Sequence, residues 1–380
     1  MVKLVKNLSM KTLILSCNTG AGHNSSAHGI REYFESKNEF VCVQDALAYI
    51  SPKFSKIVCN IHAFVYKYLP TLNAVAYYFA EKNERKFTDN FIGYKILSKG
   101  VNNLKNEILR ENYDTVICTH IFSAYMLSVA IKKFNLELKT AFVTTDYSFT
   151  PGLQRSSFDA YFIPHPLLES AFINNGISKA KIYSTGIPVK QAFKFNQNKN
   201  EAKKLLNVPL NAKHVVISSG SMGCGPIKKV VLKLIKCKQN YAVTVVCGNN
   251  NRLKKSLTPL IKKYKNLKIY GFVTNMPTLL DSADVDLTKP GGLSVTEALV
   301  KTVPMVLINV VKGCEQANVN FFEKYKMAVS TKTANGAYLK CVEMLNSANI
   351  YNEKLSALKK YKIGLASKKI YETLKFTAKA

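Results

Sequence analysis

One stretch in the second half of the chain, Thr288-Lys-Pro-Gly-Gly-Leu-Ser-Val-Thr-Glu-Ala-Leu299, limits the fold more than any other. It follows a short apolar run at 283–287, breaks at Pro290-Gly291-Gly292 and then takes on helical spacing up to Leu299. A strand that ends in two glycines and leads into a helix leaves first-turn N–H groups unpaired and lets a ligand approach the backbone. This pattern is typical of α/β proteins that bind anions, and we expect a diphosphate here.

Two residues after the glycine pair allow more than one interpretation. Ser294 is a suitable N-cap, and Glu297 follows three residues later, as in a capping box. Alternatively, Glu297 accepts hydrogen bonds from the ribose hydroxyls of a nucleotide whose phosphates lie over Gly291 and Gly292. The stretch alone leaves both interpretations open.

The length of the chain predicts two domains. At 380 residues, of which 47% are hydrophobic, the chain exceeds one ordinary core and divides into domains of roughly 150 to 200 residues. The nine cysteines are scattered without a C-x-x-C pair, which predicts reduced core residues and no disulfides. The first ten residues lack an apolar signal region and no apolar run reaches about 18 residues, so we expect a protein that is neither secreted nor membrane-spanning.

The formal net charge of +30 indicates either an anionic partner or lysine-rich codon usage without a functional role. Residues 1–190 carry +8 and residues 191–380 carry +22 of this charge. Nucleic acid, anionic lipid and anionic small substrates would all fit this balance. The chain has no Trp, no nucleic-acid recognition motif and no concentrated basic helix, so we expect no nucleic acid partner.

The first glycine loop comes directly after the first apolar run. Lys11–Cys17 predicts a buried parallel strand, the loop contains Gly20 and Gly22, and a helix is expected from Ser25 to Phe34. His23 stands at the helix start, where the helix N-terminus favours a neutral ring that is suited to a general base. The alternative is a structural loop histidine.

Residues 50–104 change the pattern to helices that are rich in Tyr and Phe and interleaved with Lys and Arg. A helical cap packed over a sheet explains most of these apolar residues. The same composition is typical of a surface that lies on an anionic bilayer and admits a lipid head group. We therefore take this segment as the candidate membrane and acceptor face.

Alternating strands and helices then resume and continue to the end of the chain. Asp146 ends one strand and is predicted either to cap its loop or to act as the partner of His23 or of an acceptor hydroxyl. Residues 190–200 predict a linker, and the second half repeats the plan, beginning with a strand and the loop Gly220-Ser221-Met222-Gly223. We expect two doubly wound, Rossmann-like α/β domains, 1–190 and 191–380, facing across a cleft, with the C-terminal helix packing back on the first. The further strands are predicted at 114–119, 140–146, 160–165, 181–188, 241–248, 267–272 and 304–310.

Seven motifs follow one another along nearly the whole length of the chain. They are Gly20-Ala-Gly-His23, Gly186-Ile-Pro-Val189, Gly220-Ser-Met-Gly223, Gly271-Phe-Val, Met276, Lys289-Pro-Gly-Gly-Leu-Ser-Val-Thr-Glu-Ala-Leu299 and Glu315-x-x-Asn318. In their order and spacing they resemble the monogalactosyldiacylglycerol synthase and processive diacylglycerol glucosyltransferase family of GT-B glycosyltransferases.

The resemblance implies a role for each half. The first half would bind the acceptor, diacylglycerol, with His23 as the base, and the second half would bind UDP-glucose or UDP-galactose. By this resemblance the loop with Phe272 and Val273 holds the uracil, Gly220–Gly223 and Gly291-Gly292 flank the diphosphate, and Glu297 takes the ribose. Glu315 and Asn318 would contact the hexose.

The sequence departs from the family at one place. The family commonly has Gly-Gln-Glu where this chain reads Gly313-Cys314-Glu315, and Gln316 is the candidate substitute for the missing amide. Sites that hydrogen-bond sugar hydroxyls discriminate strongly between epimers, so the choice between glucose and galactose stays open.

The expected reaction is an inverting transfer of the hexose from UDP to diacylglycerol, without metal or cofactor, at the cytoplasmic face of an anionic membrane. A strand-end Asp-x-Asp is absent, and Asp284-Val-Asp286 is expected to be structural. Alternatives are a transferase with a polyprenyl-linked or other acceptor and a UDP-N-acetylglucosamine epimerase of similar fold.

Overall fold

A computed structural model of the 380-residue chain describes residues 9–68, 92–218, 220, 225–308, 310 and 313–376. The predicted helix at 75–79 and the candidate residues Ser221, Met222 and Gly223 lie outside these residues. The chain forms two compact units. One comprises the residues up to Gln191 together with those from Leu365 onward, and the other comprises Ala192–Gly364.

The first unit is built on a six-stranded parallel sheet in the order β2-β1-β3-β4-β5-β6. Apolar side chains fill the central strands, as expected for parallel strands that are covered on both faces. The strands are β1 Lys11–Ser16, β2 Phe40–Asp45, β3 Thr115–Cys118, β4 Lys139–Val143, β5 Ala160–Ile163 and β6 Ile182–Ser184. The helices are α1 Ala21–Glu35, α2 Pro52–Tyr68, α3 Ile92–Ser98, α4 Val101–Glu111, α5 Ile121–Phe134, α6 Glu169–Asn174 and, from the end of the chain, α15 Ala366–Phe376.

Two hydrophobic clusters cover the two faces of this sheet. On one face the strands pack against α3, α4 and α5, and on the other against α1 and α15. Ile370 and Leu374 of α15 are buried with Ile30 and Phe34 of α1. The C-terminal helix is therefore part of the core of the first unit.

Gly29 of α1 allows the chain to approach this helix closely. A Cβ at this position would lie 2.6 Å from the carbonyl oxygen of Val189, which is backbone and cannot move aside cheaply. The hydroxyl of Ser367 in α15 also donates to the Gly29 carbonyl at 2.9 Å. Gly29 thus lets Val189 pack closely against α1, and its carbonyl oxygen links α1 to α15.

The second unit is built on another six-stranded parallel sheet, in the order β12-β11-β10-β7-β8-β9. Its inner strands are completely buried, with α8 and α13 on one face and α7, α10 and α11 on the other. The strands are β7 Lys213–Ser218, β8 Tyr241–Val246, β9 Leu267–Tyr270, β10 Val285–Thr288, β11 Met305–Ile308 and β12 Ala328–Thr331. The helices are α7 Lys199–Leu205, α8 Ile227–Lys236, α9 Asn251–Leu257, α10 Met276–Ser282, α11 Gly292–Lys301, α12 Cys314–Lys324, α13 Ala334–Asn346 and α14 Ala348–Tyr361.

The predicted α/β class with two doubly wound parallel sheets is confirmed. Two edge strands, β2 and β12, were not predicted from the sequence. Their residues are mostly half-exposed, so neither strand presents the continuous apolar run that marks a buried strand. None of the helices within the described residues combines the length and the apolar character needed to cross a membrane.

Candidate active site

The strand orders locate a binding edge on each sheet. In the first sheet β2 lies on one side of β1 and β3 on the other, and in the second sheet β8 and β10 flank β7 in the same way. The chain direction across the sheet therefore switches between β1 and β3 and between β7 and β10. Open α/β sheets bind ligands at the carboxyl ends of the strands next to such a switch point.

His23 lies at the switch point of the first sheet, in the first turn of α1 after Gly20. Its Nδ1 is 2.8 Å from the carbonyl oxygen of Thr119, after β3, and 2.9 Å from the hydroxyl of Thr145, after β4. Because a carbonyl oxygen can only accept, the ring proton is assigned to Nδ1, which donates to Thr119. The lone pair is then on Nε2, which none of the described residues engages in a hydrogen bond.

The surroundings of His23 keep its ring neutral. Burial lowers the pKa of His23 to about 4, the bond to Thr119 raises it in part, and nearby His62 lowers it further. The sequence predicted neutrality from the helix N-terminus, but burial is the larger cause. At neutral pH the imidazole is therefore in the form that accepts a proton.

His120 supports this arrangement and was not recognised in the sequence. Its Nδ1 accepts from the backbone N–H of Phe122 at 3.1 Å, so the ring proton is on Nε2, which lies 3.2 Å from the hydroxyl of Thr19. The ring packs edge-on against that of His23, with 4.6 Å between centroids. Burial holds the pKa of His120 well below its usual value. In the sequence, the signal for His120 was a histidine directly after a predicted strand. Because 97 positions separate it from His23, the sequence does not indicate that the two rings meet.

Asp146 takes a different place from the one predicted for a partner of His23. Thr119 and Thr145 hold the His23 Nδ1, and among the described residues no carboxylate does. Asp146 follows Thr145 at the carboxyl end of β4 and is half-buried. Its role toward an acceptor hydroxyl stays a prediction.

The switch point of the second sheet joins two glycine loops. The hydroxyls of Ser218, at the end of β7, and Thr288, at the end of β10, are 2.9 Å apart. Gly220 follows with φ of +66°, in the left-handed region that favours glycine, and its would-be Cβ has no heavy atom of the described residues within 4 Å, chain neighbours aside. Gly220 and the pair Gly291-Gly292 therefore follow neighbouring strands at this edge.

The N-cap predicted at Ser294 is wrong. Helix α11 begins at Gly292 with Gly291 in the capping position, and no side chain caps it. Ser294 is half-buried within the first turn, and Glu297 is half-buried one turn further on. Gly291 has extended backbone, which places the first helical N–H groups at the sheet edge with no side chain of the cap in front of them.

The predicted hexose residues lie at the start of α12, beside the same loop. The Glu315 carboxylate lies 2.5 Å from the Lys289 ammonium, and both side chains are largely buried. Asn318 is fully buried and donates from Nδ2 to the carbonyl oxygen of Pro290 at 2.9 Å. Gln316 donates to Asn320 at 2.9 Å along the helix. Asn318 thus holds α12 to the loop after β10, while Glu315 is placed by Lys289.

Phe272 and Val273 follow β9 at the edge of the second sheet. The side chain of Phe272 is 65% exposed and that of Val273 is half-buried. An exposed aromatic residue of this size after a strand leaves a flat apolar surface available to a planar ligand.

The two aspartates of Asp284-Val-Asp286 serve the interior of the second unit. Asp284 pairs with Lys199 at 2.9 Å and accepts from the backbone N–H of His214 at 2.8 Å. Asp286 is 1% exposed in β10. Across the part of the chain that the structure describes, no group of three or more His, Cys, Asp or Glu side chains could hold a metal ion.

Two sequence profiles of known families match the chain, one in each unit. The profile described as monogalactosyldiacylglycerol (MGDG) synthase matches residues 23–189, and that described as glycosyltransferase family 28 C-terminal domain matches residues 214–360. A curated relative, the processive diacylglycerol beta-glucosyltransferase of Staphylococcus carnosus, is 25% identical over 344 residues, which are 89% of this chain and 85% of that protein.

Solved structures give the same architecture. MurG from Acinetobacter baumannii has a TM-score of 0.65 at 12% identity, covering 97% of this chain and all of that chain. UDP-GlcNAc 2-epimerase from Neisseria meningitidis, bound to UDP-GlcNAc, has a TM-score of 0.62 at 15% identity, covering 96% and 99%. At these identities the likeness establishes the fold alone. With both sequence profiles and the two-sheet fold in agreement, the first unit is similar to the monogalactosyldiacylglycerol synthase family and the second to the family 28 C-terminal domain, in the GT-B fold of glycosyltransferases.

Proposed function

We propose that this protein transfers a hexose from a UDP-sugar to diacylglycerol with inversion, forming a β-glycosyl diacylglycerol. The observation that carries the proposal is the fixed tautomer of His23, whose Nδ1 proton is held by Thr119 and whose Nε2 is left as a base. The names of the curated relatives support diacylglycerol as acceptor and favour glucose as the hexose, with galactose as the alternative.

The order of the strands supports a UDP-sugar as donor. Across the second sheet, the candidate hexose residues follow β11, the candidate diphosphate residues follow β10 and β7, and the candidate uracil residues follow β9. The span from β11 to β9 is four strand spacings, or about 19 Å at roughly 4.8 Å each. The parts of an extended nucleotide sugar occur in this same order. UDP-bearing solved structures share this fold.

In the proposed reaction Nε2 of His23 removes the proton from the free hydroxyl of diacylglycerol. That oxygen attacks the anomeric carbon from the face opposite UDP, the bond to the phosphate oxygen breaks, and the α-linked sugar becomes β-linked. The charge that develops on UDP is stabilised by the first-turn N–H groups of α11, whose N-terminus has no side-chain cap. The UDP-sugar is a substrate, and the reaction needs no cofactor.

The ion pair between Glu315 and Lys289 in the second unit supports recognition of a sugar hydroxyl. Glu315 forms an ion pair with Lys289, and this contact fixes the direction of the carboxylate. A carboxylate that is already oriented loses little side-chain freedom when it accepts a hydroxyl. We propose that Glu315 contacts the hexose, that Glu297 contacts the ribose, and that Asn318 acts by holding α12 in place.

The acceptor is a membrane lipid, so we propose that the protein works as a peripheral protein at the cytoplasmic face of an anionic membrane. The net charge of +30 supports this location, because juxtamembrane lysine and arginine residues are attracted to anionic lipids.

Substitution of His23 separates catalysis from donor binding. His23→Ala is expected to lower transfer by about 100-fold or more, the usual contribution of a general base, while UDP binding measured by calorimetry stays within twofold. His28→Ala, on the same helix, is the matched control and is expected to keep both. Equal loss of transfer and UDP binding in His23→Ala would contradict the role of the base.

A further inference from the structure

A chain of polar side chains holds the loop that carries His23. Asn18, in the loop between β1 and α1, donates from Nδ2 to Oδ2 of Asp45 at 2.9 Å. Its Oδ1 accepts from Nδ2 of Asn24, the residue after His23, at 2.6 Å. Asn24 in turn accepts at Oδ1 from the hydroxyl of Ser16, the last residue of β1, at 2.6 Å. The side chains therefore tie the two ends of the loop to each other and to the strand.

Asp45 anchors this chain at the carboxyl end of β2. Its Oδ2 accepts from Asn18 and from the hydroxyl of Ser55, a buried residue of α2. Its Oδ1 accepts from the backbone N–H of Leu47 at 3.1 Å. Both oxygens of the side chain thus act as acceptors. A carboxylate satisfies this pattern, whereas an amide has only one acceptor oxygen and would turn an NH₂ group toward one of these donors.

The orientation of His23 depends on where this loop lies. The first turn of α1 has no side-chain cap. Asn24 follows His23 directly, so its contacts act on one side of the imidazole. On the other side, Thr19 of the loop lies 3.2 Å from His120, whose ring packs against that of His23. A displaced loop therefore moves the contacts on both sides, and a misplacement of about 1 Å can lower a reaction rate by about 100-fold.

We propose that Asp45 is a positioning residue, which holds the loop between β1 and α1 so that Nε2 of His23 is directed at the acceptor hydroxyl. Asp45 acts through Asn18 and Asn24 and takes no part in the proton transfer itself. This inference rests on the proposed function, because His23 is the base of the proposed reaction. If the hydrogen bond between residues 18 and 45 is what matters, the carboxylate and the amide can exchange places without loss of the bond.

The test compares the kinetics of transfer in Asp45→Asn and in the exchanged variant Asp45→Asn/Asn18→Asp. Asp45→Asn is expected to lower kcat by about tenfold or more and to leave KM for the UDP-hexose unchanged, because the base moves while the donor site does not. In the exchanged variant the carboxylate at position 18 accepts from the amide at position 45 and from Asn24, and the amide oxygen accepts from Leu47. We expect kcat to return to within about threefold of wild type.

The matched control is Asp159→Asn. Asp159 is also half-buried, and its carboxylate accepts from the backbone N–H and the hydroxyl of Thr140, each at 2.8 Å. These bonds lie at the amino end of the same sheet, opposite the edge that carries His23. Asp159→Asn therefore loses comparable hydrogen bonds and is expected to keep the kcat of wild type.

A second measurement does not depend on the reaction. In protein with ¹⁵N-labelled histidine, the Nδ1 proton that His23 donates to Thr119 is expected to give an NMR signal that His23→Ala lacks. Asp45→Asn is expected to lose this signal by exchange with water, and the exchanged variant is expected to regain it. The exchanged variant also decides the question if Asp45→Asn alone does not fold.

Three kinetic outcomes overturn the inference. They are a wild-type kcat in Asp45→Asn, an exchanged variant no better than Asp45→Asn, and an equal loss of kcat in Asp159→Asn. A wild-type protein that transfers no hexose would refute the proposed function, and the NMR signal then decides the role of Asp45. Its retention in Asp45→Asn overturns that role, and its loss with recovery in the exchanged variant supports it.

Discussion

The imidazole of His23 is held neutral mainly by burial, and this has a consequence for pH dependence. Its pKa of about 4 means that the base form is complete throughout the neutral range. An unperturbed histidine would instead be half protonated at about pH 6.5. The contact with Thr119, 96 positions away in the chain, fixes which ring nitrogen carries the proton, while burial keeps the ring neutral.

Replacing His120 is expected to change this pH dependence. Asn at position 120 can still cap α5, but it removes the ring beside His23 and the contact to Thr19. Water then reaches His23, and its pKa rises toward about 6.5. We predict that kcat/KM for a soluble acceptor is flat from about pH 5.5 to 8 in wild type and falls below about pH 6.5 in His120→Asn.

The matched control for His120→Asn is His28→Asn, which is expected to keep the flat profile. His62 lowers the pKa of both His23 and His120, and His23 also lowers that of His120. Neither His62 nor His23 is changed in these variants. A flat profile in His120→Asn, with activity lowered equally at every pH, would show that His120 is needed only for the fold.

Asp286 is a second residue whose burial has a measurable effect. Burial raises its pKa to about 8, and its Oδ1 has no hydrogen-bond partner within the described residues. The folded protein therefore holds a proton that the unfolded chain releases above about pH 4, so this residue lowers the free energy of unfolding as pH rises from about 4 to 8.

We predict that Asp286→Asn raises the thermal midpoint at pH 8 and changes it little at pH 5. The amide keeps the shape of the protonated carboxyl and removes the cost of its ionisation, which reaches on the order of a few kcal/mol at pH 8. Calorimetric unfolding of wild type and variant at the two pH values measures this. An equal change at both values would contradict a titrating Asp286.

At the scale of elements, a buried ion pair joins two helices of the second unit, α10 and α11. Lys301, at the end of α11, lies 2.8 Å from Asp281 of α10, and both side chains are almost completely buried. Lys301 also donates to the carbonyl of Phe195, in the segment that enters the second unit. One ammonium group thus joins three segments of the chain.

We predict that Lys301→Met lowers the free energy of unfolding by about 3–5 kcal/mol, because Asp281 is left as a buried charge without this partner. The matched control is Lys326→Met, whose pair with Glu353 is largely exposed, so that its loss is expected to change the free energy of unfolding little. Urea unfolding of the two variants gives the comparison. A cost for Lys301→Met as small as that of the control would show that the pair has no stabilising role.

The elements most accessible to sequence reasoning are those with a local signal. Glycine loops after continuous apolar runs correctly marked β1, β7 and β10, because a parallel strand buried on both faces is apolar throughout. The N-cap at Ser294 was wrong because a glycine at position 291 already forms the turn. His120 and Thr145 were missed because contacts across the sheet leave no spacing in the sequence.

At the scale of the whole molecule, the two sheets share one feature: the strand order changes direction at a switch point, and glycines follow the strands at its carboxyl edge. The first unit places a neutral imidazole there, and the second places unpaired backbone N–H groups and the pair Lys289–Glu315. The second half of the chain carries +22 of the net charge of +30, which suits the diphosphate binding proposed for it. The chemistry of each unit thus fits one substrate of a transfer reaction.

The anomeric configuration of the product tests the central claim most directly. The purified protein is incubated with UDP-glucose or UDP-galactose and diacylglycerol in anionic micelles, and the glycolipid is isolated and analysed by proton NMR. A single displacement assisted by His23 predicts a β-glycosyl diacylglycerol from the α-linked donor. An α-linked product, or UDP-sugar turnover without any glycolipid, would contradict it.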